Sequence, residues 1–506
     1  MSRIRRQRVL IFVVAYHAET TITNVVQRIP PTLLEEYEVE VLIIDDSSRD
    51  KTFERSQELT KRADIPFKIR VLFNPVNQGY GGNQKLGYRY AIENEYDFVA
   101  LLHGDGQYAP ECLPDLLKPL SRDGAAAVFG SRMMVPRGAL RGGMPLYKYV
   151  GNRILTWIQN RLLRTSLTEF HSGYRIYSVD ALRSIPFERN SNDFHFDTEI
   201  IIQLVIARLP IIELPIPTYY GDEICRVNGV RYAMNVLIAT LRARLQQLSL
   251  FYDKRYDCAA VSLAHYSPKF SFDSPHSFTL NLIPPNSTVL DLGCAGGHLA
   301  FALKEQKTCR TVGVDAFPLR KQGLDGFYLH DLNKGLAGIP IECNDFVLLL
   351  DVIEHLSSPE EFMDELRNRL SQASELIIST GNVAFIVTRL MLMLGNFNYG
   401  KRGILDLTHT RLFTCSSFAR LLEQTGFVIL ESKALPAPFP LAIGNNLFSR
   451  VLLKLNSLLN HLSPGLFGYQ IIMRAKALPT VQSLLRAAHH KSHEKVRLLE
   501  EKAVSI

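Results

Sequence analysis

One local pattern recurs along this chain of 506 residues and limits the folds that the chain can adopt. A short run of β-branched residues is followed by a turn rich in Gly, Asp or Ser, and then by a longer stretch with helical periodicity. Strands and helices that alternate in this way predict parallel sheets covered by helices, with ligand sites at the carboxyl ends of the strands. The pattern occurs in two blocks, which predict strands over residues 9–15, 39–44, 69–73, 98–102 and 126–129, and over residues 288–292, 311–314, 346–350 and 376–379.

The two blocks predict two α/β domains. Length alone allows two to four domains of about 100–200 residues each. Residues 262–286 separate the blocks and are rich in Ser, Pro, Phe and His without sustained periodicity, as is typical of a linker. We expect a first domain over residues 1–250, a linker with a short leading helix over 251–286, a second domain over 287–478 and a polar helical tail over 479–506.

Charge argues against a nucleic-acid partner. The chain has 57 Lys and Arg residues against 50 Asp and Glu residues, a mild net charge of +7. The charges are dispersed, whereas a nucleic-acid surface needs a basic face interleaved with aromatic residues. A small basic cluster at the start, Arg3 to Arg8, could lie near anionic lipid. We expect no nucleic-acid partner and, at most, a peripheral membrane contact.

Cysteine usage and hydropathy predict a cytoplasmic protein, peripheral at most to the inner face of the membrane. The seven cysteines are scattered and never occur as C-x-x-C, which predicts reduced thiols and no zinc site. The first apolar run is too short for a signal peptide. The apolar stretch over residues 383–394 is interrupted by Arg389 and falls short of the roughly 20 residues that a membrane span needs. Because it is apolar around most of its circumference, we predict that it is core, with a membrane element as the alternative.

Acidic residues follow two predicted strands of the first domain. Asp45 and Asp46 end one strand, and Asp105 and Gln107 follow another after His103. Two acidic clusters at neighbouring strand ends repel each other unless a cation lies between them. Their oxygen ligands suit Mg²⁺ or Mn²⁺ bridging a diphosphate, and the Gly-rich residues 77–87 would let backbone approach that ligand. The Asp45–Asp46 pair alone would equally fit a helix cap.

In their order, these residues resemble family 2 glycosyltransferases, and in particular the dolichyl- and polyprenyl-phosphate mannose synthases. The resemblance covers about residues 5–235 and rests on residues 13–19, 43–50, 77–81, 103–107 and 130–132. It implies a GT-A fold and an inverting, metal-dependent transfer from a nucleotide-sugar to a glycan or a polyprenyl phosphate. Base and ribose would be held by Ala15, Tyr16, Glu19, Asp45 and Asp46, the diphosphate by Arg132, and the metal by Asp105, Gln107 and His103. His103 replaces the usual Asp, and because an imidazole suits Mn²⁺ better than an all-oxygen Mg²⁺ site, the metal identity stays open.

The acceptor side of this domain offers two candidate bases. Transfer to a hydroxyl needs a carboxylate to take the proton, for which Asp197 is the first candidate and Glu199 the second. A lipid phosphate is already an anion and needs no base. Asp197 would equally fit a helix cap. The loop over residues 133–146, with Arg137 and Arg141, would close over the diphosphate or be an ordinary surface loop.

A glycine-rich turn opens the second domain. Asp291 precedes Gly293, Gly296 and Gly297, and the G-x-G-x-x-G of dinucleotide enzymes is absent. A carboxylate near the ligand suits a cationic cofactor better than a pyrophosphate, which favours S-adenosylmethionine over NAD. With Asp315 and Asp331 further on, the chain resembles class I S-adenosylmethionine-dependent methyltransferases over about residues 265–478.

That resemblance implies a Rossmann-like methyltransferase fold and a set of cofactor contacts. Asp291, Gly293 and Gly296 would surround the methionine moiety, Asp315 would bind the ribose and Asp331 would lie beside the adenine. Ala295 stands at the middle glycine of the family pattern. His355 and His409 are candidate bases for the methyl acceptor, although a lone His more often closes a hydrogen-bond network.

Together the two halves predict a bifunctional cytoplasmic enzyme. It would transfer a sugar and methylate a glycan-related acceptor in cell-surface polysaccharide biosynthesis. The alternative is an active glycosyltransferase joined to a non-catalytic Rossmann-like scaffold. The oligomeric state is left open.

Overall fold

The chain divides into two compact units, residues 1–264 and 265–506, in a computed structural model. The structure describes residues 5–219, 228–248, 250–258, 270, 272–319, 323–440, 444–481, 484, 485 and 491. The predicted tail over residues 479–506 lies almost wholly outside the described residues, as does the middle of the predicted linker. Each unit is described by itself below.

The described residues of the first unit build a sheet of seven strands in the order β3-β2-β1-β4-β6-β5-β7. The strands are β1 (Arg8–Ala15), β2 (Glu38–Asp45), β3 (Lys68–Phe73), β4 (Phe98–His103), β5 (Ala127–Ser131), β6 (Arg175–Ser178) and β7 (Ile211–Pro215). Side chains of β1 alternate between two cores, with Leu10 and Phe12 on one face and Ile11 and Val13 on the other. Because both faces are buried, the strand is apolar throughout.

Helices cover both faces of this sheet. Tyr88 packs in one core and Leu116 in the other, each from a different helix. The helices are α1 (Ile22–Gln27), α2 (Leu33–Glu36), α3 (Thr52–Leu59), α4 (Tyr80–Glu93), α5 (Leu113–Arg122), α6 (Gly138–Arg141), α7 (Leu146–Leu163), α8 (Val179–Arg183), α9 (Phe196–Ile206) and α10 (Gly229–Gln247).

The described residues of the second unit build another seven-stranded sheet, in the order β10-β9-β8-β11-β12-β14-β13. Its strands are β8 (Thr288–Leu292), β9 (Arg310–Asp315), β10 (Gly326–Leu329), β11 (Phe346–Leu350), β12 (Glu375–Gly381), β13 (Phe427–Leu435) and β14 (Gln470–Ala477). Its helices are α11 (Pro275–Leu282), α12 (His298–Lys307), α13 (Pro359–Arg369), α14 (Ile386–Met393), α15 (Cys415–Gln424), α16 (Leu447–Leu462) and α17 (Pro464–Phe467).

All nine predicted strands are confirmed, each with ends within about two residues of those expected. The structure adds antiparallel strands to the predicted parallel sheets. β6 runs antiparallel to β4 and β5, and β14 runs antiparallel to β12 and β13. A parallel core with antiparallel strands added to one side is a common form of large sheet.

Two further predictions, on residues 383–394 and on the cysteines, can be compared with the structure. The stretch over residues 383–394 was predicted to be core, yet Leu390 is 49%, Leu392 58% and Met393 81% exposed, so only its beginning is buried. The six described cysteines, all but Cys225, are free thiols. Within the described residues, no helix combines the length and hydropathy needed to cross a bilayer.

Candidate functional sites

The carboxyl ends of β1, β2 and β4 meet at one edge of the first sheet. Ala15 pairs with Asp45 across β1 and β2, and Val14 pairs with His103 across β1 and β4. This register brings together the residues predicted to bind nucleotide and metal, as parallel strands require. Ala15 is buried and Tyr16, directly after it, is 45% exposed.

Asp45 has an acceptor oxygen that no protein group satisfies. Its side chain is fully buried, and Oδ1 accepts the backbone N–H of Ser48 at 3.0 Å, whereas the buried Oδ2 makes no hydrogen bond. Burial raises the pKa of Asp45, and the nearby carboxylates of Asp50 and Asp46 raise it further. Buried acceptors are ordinarily hydrogen-bonded, so this oxygen fits an N–H or O–H donor from a ligand.

Asp46 instead organises the glycine-rich loop. Its carboxylate accepts hydrogen bonds from Asn74 Nδ2 at 2.8 Å and from the backbone N–H groups of Gln78 at 2.8 Å and Gly79 at 3.0 Å. Gly79 has a φ of +79°, and a Cβ there would lie 2.6 Å from the carbonyl oxygen of Asn192. Glu19 has a comparable part, since its Oε2 accepts the backbone N–H of Lys51 at 3.0 Å. Both carboxylates hold loops at the edge of the site.

Two of the predicted metal ligands, Asp105 and Gln107, lie on a tight turn after β4, and the third, His103, is the last residue of that strand. Gly106 has a φ of +78°, and Asp105 Oδ1 accepts the backbone N–H of Gln107 at 3.0 Å. The Asp105 side chain is exposed. Among the described residues, no three His, Cys, Asp or Glu side chains converge as a metal cluster. Mg²⁺ is often bound through one or two carboxylates plus substrate phosphates, so an exposed Asp105 fits a metal that arrives with a diphosphate.

His103 is held in a defined tautomer by a chain of hydrogen bonds. The Tyr80 hydroxyl donates to Asp197 Oδ2 at 2.9 Å and lies 3.2 Å from His103 Nε2. Because the hydroxyl has one proton, which Asp197 accepts, Nε2–H of His103 donates to the hydroxyl oxygen and Nδ1 keeps its lone pair. Burial lowers the pKa of His103, which keeps the ring neutral. A neutral imidazole with a free Nδ1 is the form that ligates a metal.

Arg132, predicted to hold the diphosphate, lies in a buried ion pair. It is 7% exposed, and its guanidinium and backbone N–H bind both carboxylate oxygens of Glu169. Asn152 Nδ2 adds a hydrogen bond to Glu169 at 2.8 Å. Burial alone would raise the pKa of Glu169, but the charge and hydrogen bonds of Arg132 outweigh it and lower the pKa.

Both candidate bases are already bound by other groups. Asp197 accepts from Tyr80 and, at 3.2 Å, from Gln84 Nε2, and its carboxylate lies 3.8 Å from the buried Arg175 guanidinium. Glu199 is fully buried and pairs with Arg255 at 2.5 Å. The structure places the two residues on the same buried turn of α9, away from open solvent. Arg137 and Arg141, in contrast, are exposed.

The predicted cofactor turn of the second unit surrounds a cavity. Gly293 has a φ of +81°, and a Cβ there would lie 2.3 Å from Val352 Cγ2, so glycine is required for both reasons. The cavity is lined by His276, Asp291, Gly293, Cys294, Ala295, His298, Leu299, Leu350 and Asp351. Asp291 and Gly293 are therefore brought together as expected, while Gly296 lies on the same turn beside His298.

Asp291 is a buried carboxylate in this wall. It is 4% exposed, and burial together with the charge of Asp315 raises its pKa to about 7. Asp315 accepts the backbone N–H groups of Ala295 at 2.7 Å and Phe317 at 2.9 Å. Asp331 lies further along and accepts the backbone N–H of Asn333 at 3.0 Å. Near neutral pH the buried Asp291 carboxylate is only partly ionised, and a cationic ligand would stabilise its charged form. This property fits S-adenosylmethionine.

The two candidate histidines form a pair outside the cavity lining. The rings of His355 and His409 lie 4.7 Å apart at their centroids, edge to face. His355 Nδ1 lies 3.1 Å from Thr408 Oγ1, and His409 Nδ1 lies 2.9 Å from the Ile404 carbonyl oxygen. Burial lowers the pKa of His409. Beside them, burial and Asp351 raise the pKa of the buried Glu354 to about 8.

Several residues at these sites have no role in the sequence-based prediction. Asp351 follows β11 and lines the cavity. Its carboxylate accepts hydrogen bonds from Ser379 Oγ at 2.8 Å and Gln470 Nε2 at 2.7 Å. Its position at a strand end was a usable signal. Other residues come to the sites from distant segments, and the sequence around them gives no local sign of a role there. They are Gln470, His276 and Glu169.

Comparisons with known proteins agree with this division. Residues 10–185 match Glycosyl transferase family 2, and residues 263–432 match a family described as Methyltransferase domain. A UDP-N-acetylglucosamine–dolichyl-phosphate N-acetylglucosaminyltransferase of Methanococcus voltae is 28% identical over 47% of this chain and 96% of its own length. An undecaprenyl-phosphate mannosyltransferase of Micrococcus luteus is 29% identical over 41% of this chain and 88% of its own. A SAM-dependent methyltransferase structure from Archaeoglobus fulgidus, 19% identical, covers 40% of this chain and 90% of its own with a TM-score of 0.29.

Both units are thus transferase domains whose candidate ligand residues gather at the carboxyl edge of a mixed sheet. Within the first unit, residues 10–185 match glycosyltransferase family 2, and residues 263–432 match a methyltransferase domain. The predicted fold class, a GT-A fold followed by a Rossmann-like methyltransferase fold, is confirmed.

Proposed function

We propose that this chain is a bifunctional enzyme in cell-surface glycan synthesis. The first unit transfers a sugar from a nucleotide-sugar, with inversion, to a polyprenyl-phosphate acceptor. The second unit methylates a glycan-related acceptor with S-adenosylmethionine. The observation that supports both activities on one chain is a buried carboxylate at a strand end of each unit: Asp45, whose Oδ2 has no hydrogen-bond partner among the described residues, and Asp291, which lines a cavity.

For the nucleotide-sugar, we assign the free Oδ2 of Asp45 to a donor group on the base. Ala15 and Tyr16 would lie beside base and ribose, and Asp46 and Glu19 would keep the surrounding loops in place. Arg132 would contact the diphosphate while it remains in its ion pair with Glu169. A divalent metal, Mg²⁺ or Mn²⁺, would be held by Asp105 and Gln107 with His103 Nδ1, and would neutralise charge on the departing diphosphate.

The state of the two candidate bases favours a phosphate acceptor. Asp197 and Glu199 are both bound by cations or hydrogen-bond donors in the interior. A hydroxyl acceptor would need a free carboxylate at the site, whereas a lipid phosphate is already an anion. The matching relatives named above act on dolichyl or undecaprenyl phosphate. In this proposal Asp197 is a positioning residue that holds Tyr80 and, through it, His103.

A lipid acceptor requires peripheral contact between the first unit and a membrane on its cytoplasmic side. Helix α7 supports this contact, since Tyr147, Val150, Ile154 and Trp157 lie on one stripe and are 45–74% exposed. The sequence has no Asp or Glu between Asp123 and Glu169, so the charged residues of α7 itself are all cationic. Apolar stripes flanked by cations bind anionic lipid surfaces.

Ligand-induced stabilisation tests the donor site. We expect one nucleotide-sugar of a panel to raise the melting temperature in the presence of Mn²⁺ or Mg²⁺, because a ligand that binds only the folded state stabilises it. Asp45→Asn should lose most of that increase. Asp115→Asn, on the exposed surface of α5, is the matched control and should keep it. An unchanged response of Asp45→Asn would contradict the assignment.

Calorimetric titration with S-adenosylmethionine tests the second unit. Binding by the parent chain and its loss in Asp291→Ala support a methyltransferase. No heat of binding in the parent chain would favour the alternative, in which the second unit is a non-catalytic scaffold.

A further inference from the structure

Helix α16, Leu447–Leu462, has its polar and apolar faces the opposite way round from a helix on a water-exposed surface. Its buried residues are Ser449, Asn456 and Asn460. Its exposed residues form an apolar stripe at helical spacing: Leu447 at 81%, Val451 at 54%, Leu455 at 51%, Leu458 at 62% and Leu462 at 77% exposed. A helix that faces water normally buries such a stripe and exposes its polar residues.

Hydrogen bonds on the polar face fix this orientation. Asn456 Oδ1 accepts the backbone N–H of Ala437 at 2.8 Å, and its Nδ2 donates to the Phe467 carbonyl oxygen at 3.0 Å. At the start of the helix, Asn446 Oδ1 accepts the backbone N–H of Ser449 at 2.8 Å as part of a capping box. Rotating the helix to bury its leucines would break the Asn456 bonds, so the apolar face stays outward.

The charged residues near the apolar stripe indicate what kind of partner the stripe binds. Arg450 and Lys454 are exposed on α16, and the sequence has no Asp or Glu between Glu431 and Glu494. A second copy of the chain would bring these same cations against one another in a self-complementary contact. An anionic bilayer supplies both apolar depth and negative charge, which is what interfacial helices of this composition bind.

The same unit exposes a second apolar segment. From α14 into the following residues, Leu390, Leu392, Met393 and Leu394 are 49–81% exposed, and the sequence has no Asp or Glu between Glu375 and Asp406. The start of α14 and the anchor of α16 belong to one small core, where Phe385 packs with Ala437 and lies 5.6 Å from Tyr469, ring to ring.

Both segments adjoin the edge of the sheet that contains the cofactor cavity. α14 follows β12, whose last residue Gly381 pairs with Gln470, the first residue of β14. α16 and α17 lead directly into Gln470, and the Gln470 amide donates to Asp351 in the cavity wall. A surface bound by α16 would therefore lie near the side from which a methyl acceptor approaches.

We propose that the second unit docks on an anionic bilayer through the apolar face of α16, together with the exposed end of α14. Its methyl acceptor is accordingly a glycan that is attached to a lipid at the bilayer surface. This acceptor class rests on the proposed methyltransferase activity, whereas the docking surface does not.

Site-specific tryptophan fluorescence in the full chain tests the docking surface. The chain has a single tryptophan, Trp157, so Trp157→Phe provides a background without signal. Leu458→Trp places a reporter on the stripe, and Val451→Trp is a second reporter should the first variant fold poorly. Tyr328→Trp in β10, 40% exposed in the native chain, is the matched control at the opposite edge of the sheet.

We expect phosphatidylglycerol vesicles with brominated acyl chains to quench the Leu458→Trp reporter at least twofold and to shift its emission to the blue, while leaving the Tyr328→Trp control unchanged. Neutral phosphatidylcholine vesicles should quench it less. Equal quenching at both reporters, or none at the stripe, would overturn the proposal. A blue shift without vesicles, together with dimers in sedimentation, would assign the stripe to a second copy instead.

S-adenosylmethionine titration of the same reporter variants separates the two claims. Cofactor binding without quenching overturns the docking surface and leaves the proposed methyltransferase in place. Quenching without cofactor binding supports the surface and contradicts the proposed methyltransferase.

Discussion

In the proposed cofactor site of the second unit, we expect Asp291 to couple cofactor binding to pH. Burial and the neighbouring Asp315 raise its pKa to about 7, so its charged fraction increases between pH 6 and pH 8. S-adenosylmethionine is cationic at its sulfonium and its amine. We therefore expect affinity for the cofactor to increase across this range, and Asp291→Ala to bind roughly ten- to a hundredfold more weakly at pH 8. Calorimetric titration at both pH values measures this; a pH-independent affinity in the parent chain would contradict it.

As pH rises, ionisation of the same carboxylate lowers the stability of the folded state, whereas we expect it to raise the affinity for the cofactor. Because its folded pKa is raised, Asp291 favours the folded state most below its unfolded pKa near 4, and this contribution is lost as pH rises through about 7. Asp291→Asn stays neutral at every pH. The cofactor-free variant should be more stable than the parent by roughly 1–4 kcal/mol at pH 8 and little different at pH 4. Urea unfolding at the two pH values measures the difference, and a destabilised variant at pH 8 would be inconsistent with it.

Arg132 and Glu169 are expected to stabilise the first unit as a pair. Arg132→Ala leaves a fully buried carboxylate without its cation, which typically costs about 3–5 kcal/mol of unfolding free energy. The double variant Arg132→Met, Glu169→Gln should recover much of that loss. Arg28→Ala, which breaks the more exposed Arg28–Glu111 pair, is the control and should cost about 1 kcal/mol or less. A double variant as unstable as Arg132→Ala would contradict this account.

For single residues, the sequence predicts which ones lie at strand ends better than it predicts which side chains they contact. Asp45, Asp105 and Asp291 were predicted as site residues because they lie at or near strand ends, which share one edge of a parallel sheet. Glu169 lies 37 residues from Arg132, and the Asp197 carboxylate that holds Tyr80 is 117 residues away. No local spacing encodes such contacts. The buried state of Asp197 and Glu199 therefore depends on tertiary packing.

Among the elements, two glycines in helices have opposite surroundings. A Cβ at Gly87 in α4 would lie 2.2 Å from the Phe12 ring of β1, whereas nothing lies within 4 Å of a Cβ at Gly151 in α7. Gly87→Ala should destabilise the chain by about 1–3 kcal/mol through overpacking. Gly151→Ala should stabilise it by about 0.5–1 kcal/mol, because alanine is the better helix former. Thermal unfolding of the two variants measures both effects; shifts of the same sign would contradict this packing.

Several strands that the sequence did not predict differ in the physical reason for which they were missed. β6 and β10 have four residues each, too few for a periodic signal. β13 is mostly exposed along its middle, so its hydrophobic pattern is weak. β14 returns antiparallel from a distant part of the chain, outside the strand–turn–helix pattern. The exposed end of α14 was wrongly predicted as core because hydrophobicity alone does not distinguish a protein interior from a lipid-facing surface.

Across the whole molecule, the central claim is that one chain both transfers a sugar and methylates a glycan. The two units have separate sheets and separate candidate sites, so we expect that each proposed activity can be removed alone. Asp45→Asn should remove sugar transfer while cofactor binding remains. Asp291→Ala should remove methylation while sugar transfer remains.

The most direct test follows a labelled methyl group. The full chain is incubated with anionic vesicles containing a polyprenyl phosphate, the nucleotide-sugar that stabilises it, a divalent metal and methyl-labelled S-adenosylmethionine. We predict label in the lipid extract only when the nucleotide-sugar is present, with none in either Asp45→Asn or Asp291→Ala. Transfer of sugar without any labelled methyl in the glycolipid would contradict the account.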